Sequence, residues 1–254
     1  SAFRRGTMAV SIKSAREIEL MREAGKRLAH VHQELEAMIA PGISTWEIDA
    51  KGEKLIRDCG CIPNFLHYNG YPASICVSVN DEVVHGIPRK DRYLKEGDIV
   101  SLDAGLIYKG YHSDAARTHA VGKVSTEAQK LMDVTKQSFF EGIKMAKEGQ
   151  HLHDISRAIE EYVAPYGYGI VRDLVGHGIG TALHEDPQIP NYAQKRRGVR
   201  LQAGMTLAIE PMINAGTWQV RFLRDGWTVV TKDGSLSAHY ENTILVTDGE
   251  PEIL

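Results

Sequence analysis

Apolar and polar positions alternate along the chain in two rhythms, one helical and one strand-like. Over residues 14–39, Ile18, Met21, Gly25, Leu28, Leu35 and Met38 recur at helical spacing, and Ser14 with Glu17 forms a capping box at the start. Pro41-Gly42 ends this helix. Ser44 with Glu47 caps a second, with Ile48, Leu55, Ile56 and Cys59 on its apolar face and Gly60 at its end. Residues 64–80 are aromatic and turn-rich, becoming strand-like over 73–79. Residues 97–121 read as a β-hairpin: alternation runs up to Asp103 and resumes around Asp114 after a Tyr-Lys-Gly turn. Thr126 with Gln129 caps a third helix reaching about Lys147, and a fourth starts at Asp154 and ends near Pro165-Tyr166-Gly167. Residues 205–213 and 227–246 are strand regions, the latter broken at Lys232-Asp233-Gly234.

Shifting the chain by 107 residues lays the first helix pair on the second. Met38 then meets Met145, Gly42 meets Gly149, Ile48 meets Ile155, Gly60 meets Gly167, Gly97 meets Gly204 and Asp103 meets Glu210. The identities are few, but the plan is shared: long helix, glycine break, second helix, strand ending in a carboxylate. It predicts two similar α/β halves around one site, with residues 8–254 as a single domain. Ser1 to Thr7, ahead of Met8, read as residues outside the fold.

Composition narrows the classes. Charged residues are 25% and the net charge is −3, so there is no electrostatic case for nucleic acid or an anionic membrane, and the basic loop 195–200 reads as a solvated surface. Apolar runs are too short for a membrane span, and no secretory h-region is visible. Three cysteines make neither a disulfide framework nor a Cys₄ zinc site; free thiols suit a reducing cytoplasm.

The candidate chemistry lies in carboxylates that interrupt apolar strands. If the hairpin turn is centred near Tyr108 and Lys109, Asp103 and Asp114 face each other, and like charges opposite on a sheet repel. A bound cation is the simplest remedy; the alternative is that one aspartate sits solvated in the turn. Glu210 in LAIEPM and Glu241 in HYENTILV also interrupt strands, and carboxylates are rarely buried unpaired. His177 lies in GHGIG, where small neighbours allow close approach. One histidine and four carboxylates suffice for two adjacent divalent ions, and an oxygen-rich, sulfur-free set favours Mn²⁺, Fe²⁺ or Co²⁺ over structural zinc. Taken alone, His184 and His85 read as polar loop residues. His112 and His119 flank the hairpin ligands without being singled out, and His30, His32, His151 and His153 read as helix-surface or loop residues.

With these residues in place, the sequence resembles the bacterial type I methionine aminopeptidases over residues 8–254. The resemblance rests on NDEVVHGIP, SLDAG, HSDAARTHAVG, GHGIG, HEDP, LAIEPM and SAHYENTILVT. It implies the pita-bread fold, α+β, with two pseudo-twofold-related α/β halves around a curved antiparallel sheet. It implies metal ligands at Asp103, Asp114, His177, Glu210 and Glu241, holding two divalent ions (Co, Mn, Fe, Ni or Zn, with Fe or Mn favoured in the cell). It implies that His85 and His184 assist catalysis and contact substrate, that Glu210 moves the proton, and that Phe65, Tyr68, Tyr71, Cys76 and Trp227 line a methionine pocket. The implied reaction is removal of N-terminal methionine before a small second residue, by a metal-bridged hydroxide. The implied setting is a cytoplasmic monomer acting on peptides and on nascent chains near the ribosome. Leu183, before His184, departs from the often aromatic residue of relatives. A proline-specific peptidase of the same fold is the nearest rival, and a peptide-binding pita-bread protein without catalysis is another.

Overall fold

The computed structural model describes residues 10–254, so the expectation for residues 1–7 lies outside the described residues. The first half runs α1 (Ala15–Met38), α2 (Thr45–Asp58), β1 (Ile62–Pro63), β2 (Ile75–Val79), β3 (Glu82–Val84), β4 (Ile99–Tyr108) and β5 (Tyr111–Ala120). The second half opens with α3 (Thr126–Ile143) and α4 (Leu152–Val163). Short strands follow: β6 (Gly169–Ile170), β7 (Gly176–Gly178), β8 (Glu185–Ile189), β9 (Thr206–Ile209), β10 (Met212–Asn214), β11 (Val220–Phe222), β12 (Val229–Thr231), β13 (Ser237–His239), β14 (Asn242–Leu245) and β15 (Glu252–Ile253).

Both capping boxes of the first half form. The Ser14 and Ser44 hydroxyls accept the N–H of Glu17 and Glu47 at 3.2 and 3.1 Å, and the glutamates accept the serine N–H in return. In the second half the caps differ from expectation. Ser125, not Thr126, caps α3, because its extended backbone lets its hydroxyl accept Ala128 N–H at 3.0 Å, and the helix closes at Lys144 rather than reaching Lys147. Asp154 does not start α4. It stands in the first turn, and its carboxylate accepts the N–H of the capping residue His151 at 2.8 Å.

The repeat is written into the backbone. Gly42 and Gly149 have φ of 93° and 92°, Gly60 and Gly167 75° and 74°, Gly97 and Gly204 94° and 99°. These are left-handed conformations that glycine adopts without penalty. Hydrogen bonds repeat too: Gly42 N–H to Leu94 O matches Gly149 N–H to Leu201 O, and Val121 N–H to Asp98 O matches Val246 N–H to Met205 O. Val121 and Val246 are thus equivalent, which aligns Ala116 with Glu241. Those two residues exchange a pair of backbone hydrogen bonds, at 3.1 and 3.0 Å, where the halves meet.

Sheets bring the ligand-bearing strands to that junction. β4 pairs with β1, β2 and β5, while β9 lies between β14 and β7. The hairpin turn has positive φ at both Lys109 (46°) and Gly110 (87°), the primed geometry of a two-residue loop. It therefore sits one residue later than expected. Asp103 pairs with Ala116 and Asp114 with Gly105, so the aspartates are diagonal neighbours on one face rather than opposite each other. The strand regions expected over 205–213 and 227–246 are further divided, at Glu210-Pro211 and at Tyr240-Glu241. One apolar core lies under α1 and α2, a second under α3 and α4, and a third gathers Phe65, Tyr71, Cys76, Ile179, Leu183 and Ala208 beside the junction.

Ser44 is 4% exposed, so its cap is protected from water. Ser44→Ala should destabilise the protein by about 1 kcal/mol, read as a lower urea midpoint at unchanged slope. An unchanged midpoint would remove the cap from the account.

Candidate metal centre

Each expected ligand is delivered by a strand or its end. Asp103 and Asp114 project from β4 and β5, and His177 from β7. Glu210 follows β9 immediately, and Glu241 immediately precedes β14. Asp114, His177, Glu210 and Glu241 each place one donor atom within 4.8 Å of the others, and all are at most 1% exposed. Asp103 stands outside this tight group on the same sheet face, and its charge raises the Glu241 pKa.

The glycines around His177 are required by close approach. A Cβ on Gly176 would lie 2.4 Å from Ala208 O, and one on Gly178 would lie 2.3 Å from Asp186 O. His177 Nδ1 donates to Gly178 O at 2.8 Å, which leaves the Nε2 lone pair facing carboxylate oxygens of Glu210, Asp114 and Glu241 at 3.2, 3.7 and 3.8 Å. This is the tautomer of a metal-ligating imidazole. Burial pushes the His177 pKa down, keeping the ring neutral.

Burial also raises the Asp103 carboxyl pKa, and it pushes Glu241 well above the carboxylate range, aided by the charge of Glu210. Both Asp103 oxygens are buried without a hydrogen-bond partner among the described residues. Three buried carboxylates around a neutral imidazole lone pair, with a fourth on the same sheet face, fit divalent cations, hard ions that take oxygen and imidazole donors.

His184 and His85 are also buried here, at 4% and 6% exposure. The His184 ring centroid lies 4.3 Å from that of His177, and its Nδ1 is 2.9 Å from the Tyr68 hydroxyl. His85 adopts a left-handed backbone (φ 59°), and burial pushes its pKa down to about 3. Phe65, Tyr71 and Cys76 share the apolar core beside the centre with Leu183, and Tyr68 and Trp227 pack onto it. The Tyr71 and Trp227 rings meet edge-on at 5.2 Å.

Two histidines depart from the sequence reading. His32, expected on a helix surface, is 5% exposed, with Nε2 2.8 Å from Ala115 O. His239 was not among the expected site residues. It is 1% exposed, with Nε2 3.6 Å from Glu210 Oε1. It lies two residues before Glu241 in SAHYENT, and that closeness is the signal the sequence offers; the hydrogen bonds that make Ala116 equivalent to Glu241 also make Asp114 equivalent to His239.

A buried carboxylate–histidine centre at the junction of two α/β halves is the donor set of a metalloenzyme. The profile of metallopeptidase family M24 matches residues 19–248. The methionine aminopeptidase of Clostridium acetobutylicum is 54% identical over 96% of this chain and 98% of its own length. Among solved structures, a methionine aminopeptidase of Thermotoga maritima superposes with TM-score 0.94 at 46% identity, covering 96% of this chain and 98% of its own. A prolidase of Pyrococcus horikoshii, 23% identical, shares the fold at TM-score 0.75 over 95% of this chain and 62% of its own. The chain therefore belongs to metallopeptidase family M24, within its methionine aminopeptidases, and has their pita-bread fold.

Replacing Asp103 or Asp114 by Asn removes a charge from a site that needs it. Each variant should bind divalent metal more weakly, measured by titrating Mn²⁺ into chelator-stripped protein. Wild-type affinity in both would remove these aspartates from the ligand set.

Proposed function

We propose that the chain is a metal-dependent aminopeptidase that removes N-terminal methionine when the second residue is small. The observation carrying this reading is the buried set of His177 with Asp114, Glu210 and Glu241, with Asp103 on the same sheet face, beside an aromatic-lined apolar cluster. Asp103, Asp114, His177, Glu210 and Glu241 would hold two divalent ions, with Fe²⁺ or Mn²⁺ as the cellular ions. When bound, the ions would supply Lewis acidity that lowers the pKa of water towards about 7.

In this reading Glu210 accepts the proton of the attacking water and passes it to the leaving amine. His184 donates a hydrogen bond to the developing oxyanion, with Tyr68 fixing its Nδ1 side. His85 contacts the scissile nitrogen. Phe65, Tyr68, Tyr71, Cys76 and Trp227 hold the methionine side chain, whose thioether suits aromatic contact. Residues 8–254 act as one catalytic domain. The substrates are peptides and nascent chains with an N-terminal methionine, met in the cytoplasm by a monomer. No helix among the described residues is long and apolar enough to cross a membrane.

Stripping metal with a chelator should abolish cleavage of Met-Ala-Ser, and restoring Mn²⁺ should recover it; undiminished turnover by protein shown metal-free by elemental analysis would reject a metal-dependent hydrolase. On the loaded enzyme, Met-Ala and Met-Gly peptides should exceed Met-Lys in kcat/KM. Xaa-Pro cleavage without action on Met-Ala would instead favour a proline peptidase.

His184→Ala should keep normal metal content and near-normal substrate binding while losing roughly 10²–10³ in kcat, the usual loss for one oxyanion donor. A kcat within about threefold of wild type would return His184 to a loop residue. Loss of metal would instead make it a ligand.

A further inference from the structure

A second polar cavity, of about 500 Å³, opens between α1 and α3 on the other face of the hairpin. Alternate residues of β5 point to opposite sheet faces. Asp114 faces the metal centre, whereas Arg117 and His119 line this cavity with His32 from α1 and Lys136 from α3.

Arg117 is a partly buried cation whose hydrogen-bond acceptors are all neutral. Its guanidinium donates to Ala116 O at 2.8 Å, Glu241 O at 2.6 Å and Asn242 Oδ1 at 2.5 Å, and lies 4.5 Å from the centre of the Tyr240 ring. Among the described residues no carboxylate forms an ion pair or hydrogen bond with it. Glu36 and Asp133, the cavity's two acids, are exposed.

Beside it are two buried imidazole nitrogens without a hydrogen-bond partner. His32 Nε2 lies 2.8 Å from Ala115 O and so carries the ring proton. Its Nδ1 is then an acceptor, and it has no hydrogen-bond partner. Burial pushes the His32 pKa down to about 3, so this ring is neutral at physiological pH. His119 Nε2 is likewise buried without a partner.

We propose that this cavity binds a small oxyanion carrying its own hydroxyl, a hydrogen phosphate or the singly protonated form of a phosphate monoester. Arg117 supplies the charge at the floor and Lys136 the charge at the mouth. The ligand hydroxyl satisfies the imidazole lone pair, which a fully deprotonated oxyanion cannot do. The proposal does not depend on the reaction assigned to the metal centre.

The test is calorimetric titration of metal-loaded protein with inorganic phosphate, glycerol phosphate and, separately, sulfate. Lys136→Met, an exposed position away from the metal ligands, separates this component from phosphate taken up at the metal centre, and metal content is measured on Arg117→Met because its guanidinium donates to Glu241 O. Wild type should show a binding component that Arg117→Met weakens about tenfold or more, because bonds to charged groups are the strong ones. Lys136→Met, at an exposed position, should weaken the same component severalfold and keeps the test open if Arg117→Met does not fold. Sulfate should bind about tenfold more weakly, lacking the hydroxyl donor. The phosphate arm that binds more tightly identifies free phosphate or the monoester as the ligand. Identical phosphate and glycerol phosphate isotherms in wild type and Lys136→Met, or sulfate binding as tight as phosphate, would overturn the proposal.

Discussion

Mutual repulsion at one point governs this structure. Asp114, Glu210 and Glu241 meet at the junction of the two halves with a neutral imidazole lone pair aimed among them, all shielded from water. Without a cation, such a group adjusts by protonation: Glu241 rises well above the carboxylate range because it is buried beside Glu210. The centre contributes little to folding by itself and must be held in place by the rest of the molecule. Helix pairs with their own apolar cores flank it on both sides. Mutual backbone hydrogen bonds between Ala116 and Glu241 tie the halves together there. Stability built elsewhere sustains an arrangement that is unfavourable until an ion binds.

Much of the scaffold is legible from local rules. Ser14 with Glu17 and Ser44 with Glu47 announce two helices because capping boxes satisfy donors within one turn. The glycines of the repeat are legible as pairs, and their matching φ values show that each marks the same turn in both halves. Errors arise where neighbouring residues offer the same chemistry. Ser125 and Thr126 are both good caps, and only the backbone angle decides between them. The hairpin is misplaced by a single residue because Tyr108-Lys109 and Lys109-Gly110 are both plausible turn centres. Gly110 tolerates positive φ and decides the matter, turning facing aspartates into diagonal ones.

Burial of polar side chains is less legible. His32 sits on a long amphipathic helix, where spacing alone places it near the polar boundary. It is buried because its Nε2 reaches the carbonyl of Ala115 on β5, a contact 83 residues away in sequence. His239 escapes notice for a similar reason. Its strand is too short for alternation to be read, and in the sequence only its place two residues before Glu241 connects it with the site. The expected pocket residues are easier, because a cluster of aromatics in one loop region has few ways to bury itself other than together.

The two histidines of the GHGIG–HEDP stretch show how neighbouring groups of the same type come to differ. Their rings are 4.3 Å apart, so bulk environment does not separate them. The difference lies at Nδ1. In His177 that atom meets a backbone carbonyl, which can only accept, so the proton stays on Nδ1 and Nε2 is a lone pair suited to a cation. In His184 it meets the Tyr68 hydroxyl, which can donate. A hydroxyl donating to Nδ1 leaves the proton on Nε2, turning the ring into a hydrogen-bond donor. The proposed division of labour, one imidazole for the metal and one for the oxyanion, rests on what each Nδ1 touches.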